Sequence, residues 1–181
     1  MMRRNPERRQ MRSSAIAAAL LATVSAAPVV AQEPGSRMTR EFVQAAAQSD
    51  QFEIMEAHTA LAQSTDPQVR AFAQQMIQAH QQTSASLMQA VASAGLKPPK
   101  PSLAGDQSAF LATLQSQRGA DFDKTYVRQQ VLAHSAALAV EQGYASSGDT
   151  AAIRQVATST VPIISSHLQM AEQMKAAIGG S

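Results

Sequence analysis

Four long stretches of this chain place apolar and small residues at three- and four-residue spacing, and residues that start or stop helices bound each stretch. That period marks a helix with one buried face. Thr39 is placed to cap the first stretch, 39–64, whose face carries Phe42, Ala46, Ser49, Glu53, Ala57 and Ala60. Asp66-Pro67 restarts the chain, with Asp at the N-cap and Pro at the first helical position. The second stretch, 67–94, aligns Val69, Phe72, Ala73, Met76, His80, Thr83, Leu87, Val91 and Ala94, and it stops at Gly95. The third runs from Gly119 to about 146 and aligns Val127, Val131, His134, Leu138, Glu141 and Ala145, widened by Phe122 and Tyr126. Asp149 is placed to cap the fourth, which ends near Ile178 and aligns Ile153, Val156, Thr160, Ile163, His167, Met170 and Met174. Pro162 lies inside it and should kink it, because proline removes a backbone donor. No run alternates convincingly with period two, so no sheet is expected.

The links sort these helices into pairs. Short links at Thr65 and at Ser147-Gly148 make antiparallel neighbours. The middle connection is about 25 residues long, with three prolines between Leu96 and Pro101 and a short crossover helix expected at 106–117. The expected fold is therefore all-α: a ferritin-like four-helix bundle of two antiparallel hairpins joined by a long crossover.

The first 31 residues read as an export signal. Arg3, Arg4, Arg8, Arg9 and Arg12 precede an apolar run from Ala15 to about Ala27, and Val29-Val30-Ala31 suits cleavage after Ala31. The run is short and alanine-rich for a membrane span, so no stable span is expected after signal removal. Arg8-Arg9 leaves export by the general or the twin-arginine route open. Residues 32–38 form a flexible leader, and 39–178 form the bundle. The whole chain carries 15 Lys+Arg and 13 Asp+Glu. Removing the five Arg and one Glu of residues 1–31 leaves 10 basic and 12 acidic residues, a net charge of −2. The sequence pI of about 9.3 thus belongs largely to the signal and argues for no nucleic-acid partner. There is no cysteine, so the mature domain rests on its core, without disulfides or a lipidated cysteine. The expected location is the periplasm or cell envelope.

Polar residues on the apolar faces carry what chemistry the sequence offers. Glu53, His80, His134 and His167 each fall on the face of a different long helix. Bundles build metal sites by sending His and carboxylate side chains inward from facing helices. These four, with Glu141 as a further candidate, make a candidate set for one transition-metal ion, Zn, Fe, Mn or Cu. Counting along the first hairpin, Glu53 and His80 should be the closest pair. With Ala79 beside His80, the acceptor for a histidine N–H falls to Tyr126 or a main-chain carbonyl. No Glu-x-x-His motif occurs, which disfavours ferritin-type iron oxidation. His58 reads as a solvated side chain, and Met55, Met76, Met88, Met170 and Met174 read as core filling. No nucleophile elbow or phosphate-binding glycine loop is present, and no catalytic residue is assigned.

Several of these positions also carry a resemblance. Phe42-Val43 followed by Glu53, Met76-Ile77 followed by His80, Phe122-Asp123 with Tyr126-Val127, His134, and Pro162 with His167-Leu168 make residues 39–175 similar to the bacterial family called domain of unknown function 4142. The resemblance implies an exported ferritin-like bundle and names no reaction. The family typically has Asp-His where this chain has Ala79-His80. Three functions fit the sequence. One is an exported bundle binding a metal or small ligand at the inward cluster. Another is an envelope-stress or interaction protein whose polar core only fixes helix register. The third is a mononuclear-metal oxidoreductase.

Overall fold

The computed structural model describes residues 35–100 and 102–179, so the expected signal and the start of the leader lie outside the described residues. Five helices follow in order: α1 Arg37–Gln63, α2 Pro67–Ser93, α3 Gly105–Ser116, α4 Gly119–Ser147 and α5 Ala151–Gly179. No strand occurs among the described residues.

Local chemistry sets the helix ends. Ser36, rather than Thr39, caps α1, and its hydroxyl accepts from the Thr39 N–H at 3.0 Å. Helix α1 therefore takes in the last residues of the expected leader. Asp66 caps α2 as its sequence suggests, accepting from the N–H groups of Gln68 and Val69 at 2.8 and 3.1 Å. Gly95 takes a φ of 65°, a left-handed conformation that terminates the helix with little strain. Asp149 does not cap α5. The Thr150 carbonyl opens that helix, and the Asp149 carboxylate accepts from Thr39 across the bundle at 2.6 Å.

Those cross-bundle contacts fix the arrangement. At one end the Thr39 hydroxyl meets the Tyr144 hydroxyl at 2.6 Å, and at the other Ser64 donates to Asp123 at 2.6 Å. The start of α1 thus meets the end of α4, and the two helices are antiparallel. Gln68 and Phe72 near the start of α2 line a groove with Met174 and Ala177 near the end of α5, so that pair is antiparallel too. Helices α1 and α2 pack as one hairpin, and α4 and α5 as the other. Helix α3 lies across α1 and α4, held in part by Gln129, whose amide donates to the Phe110 carbonyl at 3.0 Å. The proline-rich connection is tied down by Gln44, whose side-chain amide pairs with both the N–H and the C=O of Lys100.

Two apolar clusters fill the interior. One gathers Phe72, Met76, Leu114, Phe122, Tyr126 and Ala171, and the other Phe42, Val43, Leu87, Val91, Tyr144 and Ile153. Between them, in the middle of the long helices, lies a layer of buried polar groups that includes Asp50, Glu53, His80, Thr83, His134, Thr160 and His167. The faces differ from the expected stripes on three of the long helices. On α1, Asp50 and Glu56 are buried and Ser49 is only partly so. On α5, Ile164 is 3% exposed while Ile163 is 36% exposed. On α4, Leu138 is only half-buried. Helix α5 continues through the exposed Pro162 as one uninterrupted helix.

Candidate metal centre

Three histidines from three helices meet in the polar layer. The ring centroids of His80 on α2, His134 on α4 and His167 on α5 lie 5.4–5.6 Å apart. One ring nitrogen from each lies within 4.8 Å of the others, and all three residues are buried. Tetrahedral ligands at about 2.0–2.1 Å from an ion stand about 3.4 Å from one another.

The hydrogen bonds orient two of the rings. His80 Nδ1 is 2.8 Å from Asp50 Oδ1, and His134 Nδ1 is 2.9 Å from the main-chain carbonyl of Gln130. A carbonyl or an ionised carboxylate only accepts, so in both neutral rings the proton sits on Nδ1. Their Nε2 atoms carry lone pairs whenever the rings are neutral, and both are buried without a hydrogen-bond partner. His167 Nδ1 is also buried without a partner. An Nδ1 held by an acceptor with Nε2 left free, as in His80 and His134, is the usual arrangement of metal-binding histidines.

The surroundings differ for each ring. Burial opposes charge on His80, but the Asp50 hydrogen bond and the Glu53 and Asp50 charges outweigh it, and its pKa is raised. Burial lowers the His134 pKa, with Glu53 pulling the other way. Burial, then His134 and His80, push His167 down to about 3. His134 and His167 therefore hold their neutral, metal-accepting forms at neutral pH.

The candidates from the sequence are placed as follows. His80, His134 and His167 converge. Glu53 is buried but stands beside the trio, its Oε1 3.5 Å from His134 Nδ1. It is not the partner of His80, which takes Asp50 instead. Asp50 lies nearly one helical turn before Glu53, and that offset carries it to the depth of His80. Glu141 is buried, with one oxygen unpartnered, and burial followed by the Asp50 charge raises its pKa to about 8. Tyr126 is fully buried beneath Phe122 and Phe72, and its hydroxyl is not bonded to a histidine. His58 is exposed, and Met76 packs in the core.

Sequence reasoning missed Asp50, Glu56 and Gln130. Asp50 accepts from Thr83 at 2.8 Å and from Ser84 at 2.9 Å as well as pairing with His80. The Gln130 amide donates to Glu53 Oε2 at 2.7 Å and to Glu56 Oε2 at 3.1 Å. Burial, then the Glu53 charge, lift the Glu56 pKa to about 9. The signal was present in the three-residue spacing of Asp50, Glu53 and Glu56, which puts all three near one face of α1.

The sequence matches the family described as domain of unknown function DUF4142 over residues 24–174. The chain belongs to that family. No curated protein matches it. The fold of this DUF4142 member is similar to that of a DUF305 fragment from Deinococcus radiodurans, with a TM-score of 0.68 at 16% identity, over 82% of this chain and 99% of the other. It is also similar to a DUF305 protein from Streptomyces coelicolor, with a TM-score of 0.67 at 16% identity, over 78% of this chain and 92% of the other. CopM in its Cu(I)-bound form aligns with a TM-score of 0.62 at 15% identity, over 75% of this chain and 93% of CopM. At such identities the likeness is one of fold, a helical bundle. Among the described residues no helix is long and apolar enough to cross a membrane.

Proposed function

We propose that this protein is an exported metal-binding bundle whose His80, His134 and His167 hold one transition-metal ion. The observation that carries this reading is three buried histidines, each with a ring nitrogen within 4.8 Å of the others and each with one buried ring nitrogen that has no hydrogen bond. Unpartnered buried polar atoms are costly, and a single cation among three neutral imidazoles would satisfy one nitrogen of each. Asp50 and the Gln130 carbonyl would hold His80 and His134 in the ligating tautomer. Glu53, beside His134, would balance part of the ion's charge. Neutral imidazoles suit Zn, Cu, Fe or Ni, and the Cu(I)-bound state of CopM makes copper the first metal to try. The amino-terminal basic and apolar run supports export, with cleavage after Ala31.

Metal analysis of the exported protein tests the reading. We expect about one ion per chain in the wild type and its loss in His167→Ala. Equal metal content in both proteins would overturn the assignment. A second reading, a purely structural polar core, draws on Asp50, which joins His80 and Thr83 of α2 to α1 through satisfied hydrogen bonds. It would be favoured if the stripped wild type took up none of Zn, Cu, Fe or Mn.

A further inference from the structure

The polar layer extends beyond the trio, and its second half is built from oxygen. Glu53 and Glu56 lie three residues apart on α1 and are 1% and 0% exposed. Their Oε2 atoms share the Gln130 amide, while both Oε1 atoms are buried without a hydrogen bond, that of Glu53 facing His134 Nδ1 at 3.5 Å. The Gln130 side-chain oxygen and the Tyr126 hydroxyl are buried without partners too, in residues that are both 0% exposed. Tyr126, Gln130 and His134 follow one another at four-residue spacing, so they stack on the face of α4 that meets α1. The Tyr126 hydroxyl sits in the field of both carboxylates. Two buried carboxylates that share a neutral amide donor, each with one oxygen lacking a hydrogen bond, thus neighbour a Gln130 side-chain oxygen and a Tyr126 hydroxyl that lack one too.

We infer that Glu53, Glu56, Gln130 and Tyr126 form a second cation site of oxygen ligands, between α1 and α4 and next to the histidine trio. The inference extends the reading above, because it gives the trio's ion a neighbour. Two carboxylates buried side by side do not both stay ionised unless a cation joins them, and without one Glu56 keeps its proton, which a bound ion would have to displace. Carboxylate, amide carbonyl and phenol oxygens suit a hard divalent ion such as Mn(II) or Mg(II), whereas the trio offers only nitrogen. The two halves of the layer therefore differ in the ions they select. Gln130 links them, since its main-chain carbonyl orients His134 while its side chain holds both glutamates.

The test uses the full chain, stripped with a chelator, loaded with one equivalent of Zn(II) and then titrated with Mn(II), whose free form is counted by its EPR signal. We expect the wild type to bind one Zn(II) and then one Mn(II). Glu56→Gln should keep the Zn(II) and bind Mn(II) at least tenfold more weakly. Tyr126→Phe should keep the Zn(II) and weaken Mn(II) severalfold, which covers the case in which Glu56→Gln fails to fold. His167→Ala should lose Zn(II) and keep Mn(II). No saturable Mn(II) binding by the Zn(II)-loaded wild type, or wild-type Mn(II) affinity in the folded glutamate and tyrosine variants, would overturn the second site. Zn(II) retained by His167→Ala would instead overturn the trio and leave the Mn(II) result to stand by itself.

Discussion

Asp50 shows what one buried carboxylate does in this bundle. It accepts from His80, Thr83 and Ser84, so three side chains of α2 converge on a single residue of α1. Asp50→Asn keeps the size but removes the charge and puts a donor where an acceptor was needed. We expect a loss of about 1–3 kcal/mol in stability from the mismatched buried group. We also expect metal affinity to fall by about 10–100-fold, because His80 loses its orienting partner. Urea unfolding and metal titration read the two effects separately, and a fully neutral variant would remove Asp50 from the argument. Glu141 gives a pH prediction. Burial lifts its pKa from the ordinary carboxylate value of 4.5 to about 8 in the folded protein, so folding takes up a proton between those values. Stability then falls as pH rises through that window and levels off above about 8. Each pH unit inside the window costs up to about 1.4 kcal/mol from this group alone. Glu56, lifted to about 9, adds a slope of the same sign. In metal-free protein, Glu141→Gln should flatten the decline between about pH 4.5 and 8 and leave the Glu56 contribution. An unchanged slope in urea melts would mean that Glu141 is ionised in the folded state.

At the scale of the element, α5 tests which face is buried. The sequence stripe passes through Ile163, but the structure buries Ile164 and leaves Ile163 36% exposed. The three-and-four periodicity admits either choice, since the two are adjacent and both apolar. Packing decides, because Thr160, Ile164, His167 and Ala171 are all buried, each three or four residues from the next. Ile164→Ala should therefore cost about 2–5 kcal/mol, as a large-to-small change in a packed core. Ile163→Ala should cost less than about 1 kcal/mol. Thermal melts of the pair settle the register, and the reverse order would return the face to the sequence reading. Between α4 and α5, the position of a Cβ added to Gly148 meets the Tyr144 ring and comes within 2.6 Å of the Tyr144 carbonyl. Gly148→Ala should displace Tyr144, which stacks on Phe42 with centroids 4.2 Å apart and bonds Thr39. Loss of stability with a changed near-ultraviolet tyrosine signal is the expected outcome.

Across the whole molecule, the polar layer lies between two apolar clusters, and all four long helices contribute to it. An ion held by α2, α4 and α5 would tie both hairpins together. A ligand that binds only the folded state at a hundred times its dissociation constant stabilises by about 2.7 kcal/mol. For a chain of this size, that is a rise in melting temperature of about 5–10 °C. We expect this shift in the wild type on adding the metal and its absence in His167→Ala. A shift of equal size in the variant would place the ion elsewhere.

Periodicity, caps and link lengths determined the elements. Every long helix ended within a few residues of its expected bounds, because Asp66-Pro67, Gly95 and Gly148 act through their own backbone chemistry. The inward placement of His80, His134 and His167 was legible for the same reason, since a helical face is a local property. Which polar groups meet was not. A residue count along a hairpin fixes depth to about one turn, and one turn separates Asp50 from Glu53. The choice of Asp50 for His80, of Gln130 for the two glutamates, and of Ile164 over Ile163 depends on how the helices are rotated against one another. That rotation is set by the packing of all the long helices at once, and only the tertiary structure contains it.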